Sequence, residues 1–544
     1  MHNLLLLLIL AASLLVSGSA KAAQATERRA VIFYTAETHG TLEPCGCTSD
    51  PLGDFARVTA LVRAMSPHAA MLVDAGNLTY SATAESGKKQ PAADLRAEFL
   101  AKEITKLPFG GSAIGDSDLV HGLAKIKPRR LAVNLAQVPW VEPSRIVEVG
   151  SIKIGVLGIA DPELASKVGL SAQDPTTAAQ QEVVRLRASG AEVIILLAPL
   201  ERQFARNLAR TTGVDIVIVG KNVGQGMARA ERVGSAYLVA PAEELQRVGR
   251  LDIVLRGPRL AKEPLIDAGG AAQTRDRLIE LDGMLLRQDG DIARWQKDPG
   301  SDAAFVTSKL RERDELRAER AHLGDGQWKA PASGSYFTNS LVAIRRSLPR
   351  DGALSVSMHT LNRAIGAANL NVAEPPMAAE PGRASYVGGE KCTSCHKPAA
   401  RFWKHTLHAQ AWKTLVKVGK EAHDDCVSCH VTGYGEVGGS TLGHTQGLQD
   451  IQCEVCHGPG SIHVEKRGKE SPFAGCTKTP ESVCVRCHNE KHSDTFQYEA
   501  YLRDVIGPGH GEDARDALGE GPTGKKLRHA AEARAHANSG QRSP

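Results

Sequence analysis

Four copies of the pentad Cys-x-x-Cys-His stand in the C-terminal third of this 544-residue chain. They read CTSCH (Cys392, Cys395, His396), CVSCH (Cys426, Cys429, His430), CEVCH (Cys453, Cys456, His457) and CVRCH (Cys484, Cys487, His488), at intervals of 34, 27 and 31 residues. In each pentad two thiols are spaced to add to the vinyl groups of one haem, and the adjacent imidazole falls beneath the iron. Zinc also uses paired CxxC motifs, but it takes two pairs per ion and has no need of a His after every second Cys. A disulfide across each pair leaves the same His unexplained. The pentads therefore predict four covalently attached c-type haems, with His396, His430, His457 and His488 as proximal ligands. Pentads this close leave far less chain per haem than a globin-like fold uses. The macrocycles then have to touch one another and supply much of the core, which makes a short wire for electrons.

Each iron either takes a sixth ligand or leaves that position open. The non-pentad histidines available nearby are His405, His408, His423, His444, His463, His492 and His510. The surrounding text reads YVGGEKCTSCHKPAARFWKHTLHAQAW, DDCVSCHVTGYGEVGG, LQDIQCEVCHGPGSIHV and VCVRCHNEKHSDTFQYEAYL. In these four stretches residues 385–512 resemble the cytochrome c-554 family of tetrahaem electron carriers. The resemblance implies distal ligation by His408, His463 and His510, with His405, His444 and His492 in reserve. It also implies one five-coordinate haem, since three candidates serve four irons. Ligation by two histidines, without Met, favours low potentials. Cys476, between the third and fourth pentads, is expected to be a buried free thiol or the partner of another Cys.

Export fits this chemistry. The chain opens MHNLLLLLILAASLLVSGSAKAAQA, with an apolar run from Leu4 to about Val16 and an A-x-A site at Ala20-Lys21-Ala22. That run is short for a bilayer span and reads as a secretory signal over 1–22. No second such run follows, so no transmembrane segment is expected in the mature chain, and the expected location is the periplasm. The net charge is only +5 with both signs interspersed, which argues against a nucleic-acid partner and leaves redox proteins as the expected partners. The basic, Ala-rich residues 513–544 read as a flexible tail.

The N-terminal half has a different pattern. Short apolar runs at 30–36, 69–76, 152–160, 193–200 and 214–220 read as buried strands, and AYLVAPAEELQRVGRLDIVLR reads as two more. Amphipathic stretches separate them, which is the layout of a layered α/β domain over 29–257. The succession resembles the metallophosphatase domain of the 5'-nucleotidase family, in which Asp, His and Asn side chains hold two metal ions that activate water. Mapped onto this chain, most of that ligand set is missing. AETHG places Glu37 where the family has Asp and retains His39. DAGN keeps Asp74 and puts Asn77 at the bridging carboxylate. GDSD has Asp116 and Ser117 for Asn and His, LAP has Ala198 and Pro199 for Ser and His, and GKNV has Lys221 and Val223 for two histidines. The expectation is a domain that keeps the fold without two-metal hydrolysis and without a catalytic divalent metal. A residual single-metal site at Glu37, His39 and Asp74 is the alternative. The Cys45-Gly-Cys47 pair in the following loop is expected to form a disulfide, with metal binding as the other reading.

Between these halves, 270–325 reads as a charged helical connector, broken near DPGSD. Residues 326–384 read as a helical and Pro-rich linker in which His359 is an ordinary residue. The expected architecture is multidomain: an α/β layered metallophosphatase-like domain, a helical connector, and a mostly α and irregular tetrahaem cytochrome c domain. The expected function is periplasmic electron transfer, with the nucleotidase-like domain as a docking platform. The alternatives are a haem redox enzyme acting on a small nitrogen or oxygen compound at an open iron, and a phosphoesterase tethered to a cytochrome.

Overall fold

The computed structural model describes residues 27–44, 48–65, 69–80, 91–120, 128–135, 138–259, 263–297, 302–323, 330–472, 479–489 and 492–539. The expected signal segment, Cys45, Cys47, Cys476 and most of the DPGSD break lie outside these residues.

Two sheets face each other in the N-terminal region. The first runs β13 (Ile266–Asp267), β14 (Tyr336–Ala343), β12 (Arg247–Arg256), β1 (Glu27–Thr35), β2 (Ala70–Asp74), β3 (Phe109–Ser112), β4 (Arg130–Leu131), β5 (Val141–Glu142). The second runs β10 (Glu231–Val233), β11 (Ala236–Val239), β9 (Ile216–Val219), β8 (Val193–Ala198), β7 (Ile152–Gly158), β6 (Ser144–Val149). Strands β1 to β5 pair in parallel, whereas β12 joins both β1 and β14 in antiparallel register. The apolar runs are continuous because both faces of each sheet are covered. In β1, Ile32 and Tyr34 face the inter-sheet core while Phe33 faces the opposite side. In β8, Ile195 and Leu197 enter that same core, and Ile194 and Leu196 face outward.

Helices complete the outer layers. α1 (Phe55–Arg63) is capped by Asp54, which accepts from the N–H groups of Ala56 and Arg57. With α2 (Pro91–Ile104) it covers the outer face of the first sheet, burying Phe55, Leu100 and Ile104 beside Phe33 and Leu72. α3 (Pro175–Ala188) and α4 (Arg202–Thr211) cover the second. The connector is a helical hairpin of α5 (Gly269–Lys297) and α6 (Ala303–Leu323), braced by ion pairs such as Arg317 with Asp289 at 3.0 Å.

Two expectations are corrected. Residues 326–384 are not merely a linker: Tyr336–Ala343 is β14, held by most of the length of β12. It is followed by α7 (Gly352–Leu370), whose Met358, Leu361 and Ile365 enter the core with α1 and α2. The strand lacks a clean two-residue alternation because only one end is deeply buried. The tail is the second case. In the C-terminal region α8 (Lys397–Trp403) follows the first pentad and α9 (Tyr498–Val505) follows the last. Gly524–Ser539, within the expected flexible tail, is a helix, α10, lying on α9. Lys525 N–H donates to Asp504 at its start, so tertiary contact orders a segment whose composition alone does not. His359 is exposed, as expected.

Candidate haem centres

The pentads begin on, or consist of, single helical turns: Glu390–Thr393, Asp424–Val427, Cys453–His457 and Glu481–Cys484. Positions three apart on a turn share a side, so the two thiols of each pentad can grip one edge of a macrocycle. None of the eight is in a disulfide. The protein around them is thin. The buried apolar cluster of this region holds only Leu415, Val427 and Val431, among the described residues, with Trp412, Tyr434 and Leu442 packed at its margin. A chain with so small a core needs another apolar body to fold around.

Three of the four pentad imidazoles face a second imidazole. Ring centres are 5.9 Å apart for His396 and His463, 6.1 Å for His408 and His488, and 6.4 Å for His457 and His510. These distances are too long for direct stacking and suit a shared metal. With metal–nitrogen bonds of about 2.0–2.1 Å, two imidazoles on opposite sides of one ion have centres roughly 6.3 Å apart. Among the described residues no such ring lies across from His430. The residues present therefore fit four haems, three with paired imidazoles and one without.

Hydrogen bonding agrees on which ring nitrogen is left for iron. Nδ1 of His430 is 2.6 Å from Ala411 O and Nδ1 of His463 is 2.6 Å from Glu470 O, whereas Nδ1 of His510 faces both Gly507 O at 3.1 Å and Gly507 N at 3.3 Å. Nδ1–H donation to a carbonyl leaves the Nε2 lone pair for a metal and fixes the ring plane. His488 Nδ1 lies instead 3.1 Å from Ser493 Oγ, which is 3.2 Å from the Tyr501 hydroxyl. Burial, followed by the nearby His510, His396 and His463, lowers His457 to about 4. Burial and then His408 lower His488 to about 4, and burial also lowers His408. Neutral imidazole is the ligating form.

Pentad sulfurs are also neighbours across motifs. Cys392 neighbours Cys453, and Cys429 neighbours Cys487; the neighbouring thiol raises Cys392 and Cys487 and lowers Cys453 and Cys429. Cys484 is an electrostatic neighbour of Cys456. Neighbouring pentads therefore follow the order first, third, fourth, second. Of the reserve histidines, His405 and His444 are exposed and His492 sits near Cys429.

His423, just before the second pentad, belongs to an interface that sequence reasoning missed. It is 3% exposed and its Nε2 is 3.0 Å from Asn362 O on α7. Beside it Asn369 donates to Ala422 O at 3.0 Å, Arg96 pairs with Asp425 at 2.9 Å, and Lys420 pairs with Glu43 at 2.9 Å. Burial pushes Glu43 up, but Lys420, Arg350 and Asn362 outweigh it and hold the carboxyl at about 2. No local motif marks these groups, because the partners are far apart in sequence.

The expected residual metal site is not brought together. Glu37 Oε2 accepts from Val223 N at 2.9 Å, and His39 Nδ1 is 3.1 Å from Tyr80 O. Asp74 is fully buried and accepts from Thr35 and Ser112 hydroxyls and Gly76 N. Burial raises it to about 7 against those bonds. Asn77 Oδ1 accepts from Ser117 N and Oγ at 3.0 Å. Lys221 forms an ion pair with Asp116 at 2.6 Å. An ammonium–carboxylate pair thus joins two positions that would be metal ligands in the resembled family, and Glu37 is satisfied by backbone. Among the described residues no group of three or more His, Cys, Asp or Glu is arranged to hold a metal ion. Beneath these loops Arg130 and Asp118 form a buried two-pronged pair at 2.8 and 3.0 Å.

Comparison with known proteins places residues 391–458 in a match to the family described as cytochrome c554 and c-prime. Cytochrome c-554 of Nitrosomonas europaea is 36% identical over 19% of this chain and 58% of its own length, so the chain spans less than two thirds of that relative. The solved reduced state of that organism's cytochrome c554 is similar over 19% of this chain and 65% of its own, at 32% identity and a TM-score of 0.16. A 5'-nucleotidase precursor from Thermus thermophilus is similar over 72% of this chain and 68% of its own, at 16% identity and a TM-score of 0.42. No helix among the described residues is long and apolar enough to cross a membrane. The C-terminal region of this chain is thus similar to the cytochrome c554 family, and it is joined to an α/β region whose structural neighbours include a 5'-nucleotidase.

Proposed function

We propose that the protein is a periplasmic electron carrier in which Cys392/Cys395, Cys426/Cys429, Cys453/Cys456 and Cys484/Cys487 each hold one c-type haem. The observation that carries this reading is the set of three imidazole pairs with ring centres 5.9–6.4 Å apart. The bound haems supply one-electron redox chemistry. The chain's own groups do the rest. His396 with His463, His488 with His408, and His457 with His510 would hold three of the irons. Carbonyls of Glu470 and Ala411 and the backbone of Gly507 orient the ring planes of His463, His430 and His510. The neighbouring sulfurs support a path in the order first, third, fourth, second. The α/β region serves as a platform that grips the second pentad's flank. Turning Glu37, Asn77, Asp116 and Lys221 into mutual protein contacts supports that role over phosphoester hydrolysis.

A second reading is supported by one feature. His430 has no imidazole across from it among the described residues, so its iron has a place for a small nitrogen or oxygen compound. Low-temperature EPR of the oxidised holoprotein separates the two readings. About one high-spin ferric haem in four is expected. Four low-spin haems would remove the open position and with it the redox-enzyme reading.

A further inference from the structure

Burial against the α/β region differs between the two ends of the haem order. At the second pentad the surface is taken. Lys420 is paired with Glu43 and Asp425 with Arg96, while His423 and Ala422 are bound to α7. Near the fourth pentad, Ser49 N–H donates to Asp494 Oδ1 at 3.0 Å. The first pentad is at the other end. Ser394 within it and Lys397 just after it are exposed.

Four exposed basic residues surround this end: Lys391, Lys397, Arg401 and Lys404. The last three lie at i, i+4 and i+7 along α8 and its C-cap, and so share one face. Glu390 is the single acidic residue from 390 to 404. Next to His463, the imidazole opposite His396, Lys466 and Arg467 are exposed as well. None of these six cations has an ion-pair partner among the described residues. Elsewhere many cations are paired, as in Arg206 with Glu231, Arg187 with Asp215 and Lys309 with Glu312, while others, such as Lys413 and Lys417, are exposed without an ion-pair partner among the described residues. Six exposed cations thus lie around the first pentad, with Glu390, Glu465 and Glu470 the exposed acids among them.

We infer that this face is the electron port of the protein and that it docks the acidic surface of a one-electron carrier protein. The inference rests on the haem reading above. Complementary charge steers encounter and sets the approach orientation. It brings the partner's redox centre to the first pentad, while the α/β region closes the opposite end. Each encounter passes one electron from the reduced partner to the ferric haem held by Cys392 and Cys395. The partner is oxidised by one electron, the haem is reduced by one, and no bond forms or breaks.

The test uses the full-length holoprotein and an acidic plant-type [2Fe–2S] ferredoxin, photoreduced, as donor. Haem reduction is followed in the Soret band, and haem content is measured separately as the pyridine haemochrome. The expected result is a second-order rate that falls as salt rises. The triple variant Lys397→Glu, Arg401→Glu, Lys404→Glu should lower that rate at least about tenfold at low ionic strength and flatten its salt dependence. The Gln triple variant should give an intermediate loss, and the double variant Lys525→Glu, Lys526→Glu on α10 should stay within about twofold of the parent. Unchanged rates in the triple variant with four haems present would overturn the port and leave the haem reading standing. Fewer than four haems in the parent would instead overturn the haem reading. An equal loss in the α10 variant would overturn the location. Binding to phosphatidylglycerol vesicles that the triple variant abolishes, with ferredoxin rates unaltered, would overturn the choice of a protein partner.

Discussion

Replacing His463 with Ala tests the ligand geometry most directly. The His463 ring centre is 5.9 Å from that of His396, and its Nδ1 is anchored to Glu470 O. No other imidazole is paired with His396 among the described residues. The truncated side chain therefore leaves one additional iron without its second nitrogen ligand. The parent is expected to have about one high-spin haem in four, at His430, so the variant should show about two in four. Haem content should not change, because Cys392, Cys395 and His396 are untouched. His444 is exposed, and the His444→Ala control should keep the parental fraction. Spin-quantified EPR of the fully oxidised proteins, normalised to pyridine haemochrome, provides the measurement. An unchanged high-spin fraction in His463→Ala, with four haems retained, would refute the pairing of His463 with His396.

Four further outcomes are expected. Arg130→Met leaves the buried Asp118 carboxylate without its guanidinium and should cost about 3–5 kcal/mol in denaturant unfolding, less when Asp118→Asn is added. Gly249→Ala should destabilise by at least about 1–3 kcal/mol, since a Cβ there would sit 1.9 Å from Tyr34 Cζ while that tyrosine is held by Asn339 at 2.6 Å. Acidification should loosen the grip between α7 and the second pentad. Burial lowers His423, so its contribution is complete above the unfolded value near pH 6.5 and is lost as pH falls toward the folded value. Glu43, at about 2 against an ordinary 4.5, contributes above pH 4.5 and loses at most about 3 kcal/mol as pH falls toward 2. Small-angle scattering from pH 7 to 3 should show expansion, with Glu43→Gln removing the lower part of that change. With manganese added, hydrolysis of bis(4-nitrophenyl) phosphate should not exceed the buffer rate; measurable turnover would refute the loss of catalysis at Asn77 and Lys221.

Local pattern was sufficient wherever a few adjacent residues carry the chemistry. The pentads single out the thiols and four imidazoles proposed to hold haem, because thioether attachment and proximal ligation use positions within five residues of one another. The seven expected strands of the α/β region are present because continuous apolar runs are what a sheet covered on both faces requires. The family resemblance singles out His408, His463 and His510, and each faces a pentad imidazole.

What the sequence could not express is which groups meet across the fold. His408 follows the first pentad yet faces His488 of the fourth, and His463 follows the third yet faces His396 of the first. β14 is a strand because β12 offers it an edge, and α10 is ordered because α9 supports it. The grip on the second pentad joins His423 to Asn362 and Asp425 to Arg96, residues 61 and 329 positions apart, and only packing brings them together. Motifs within a turn are set by covalent spacing, which the chain carries wherever it goes. Pairings between distant segments depend on which surfaces burial brings together, and only the tertiary structure decides that.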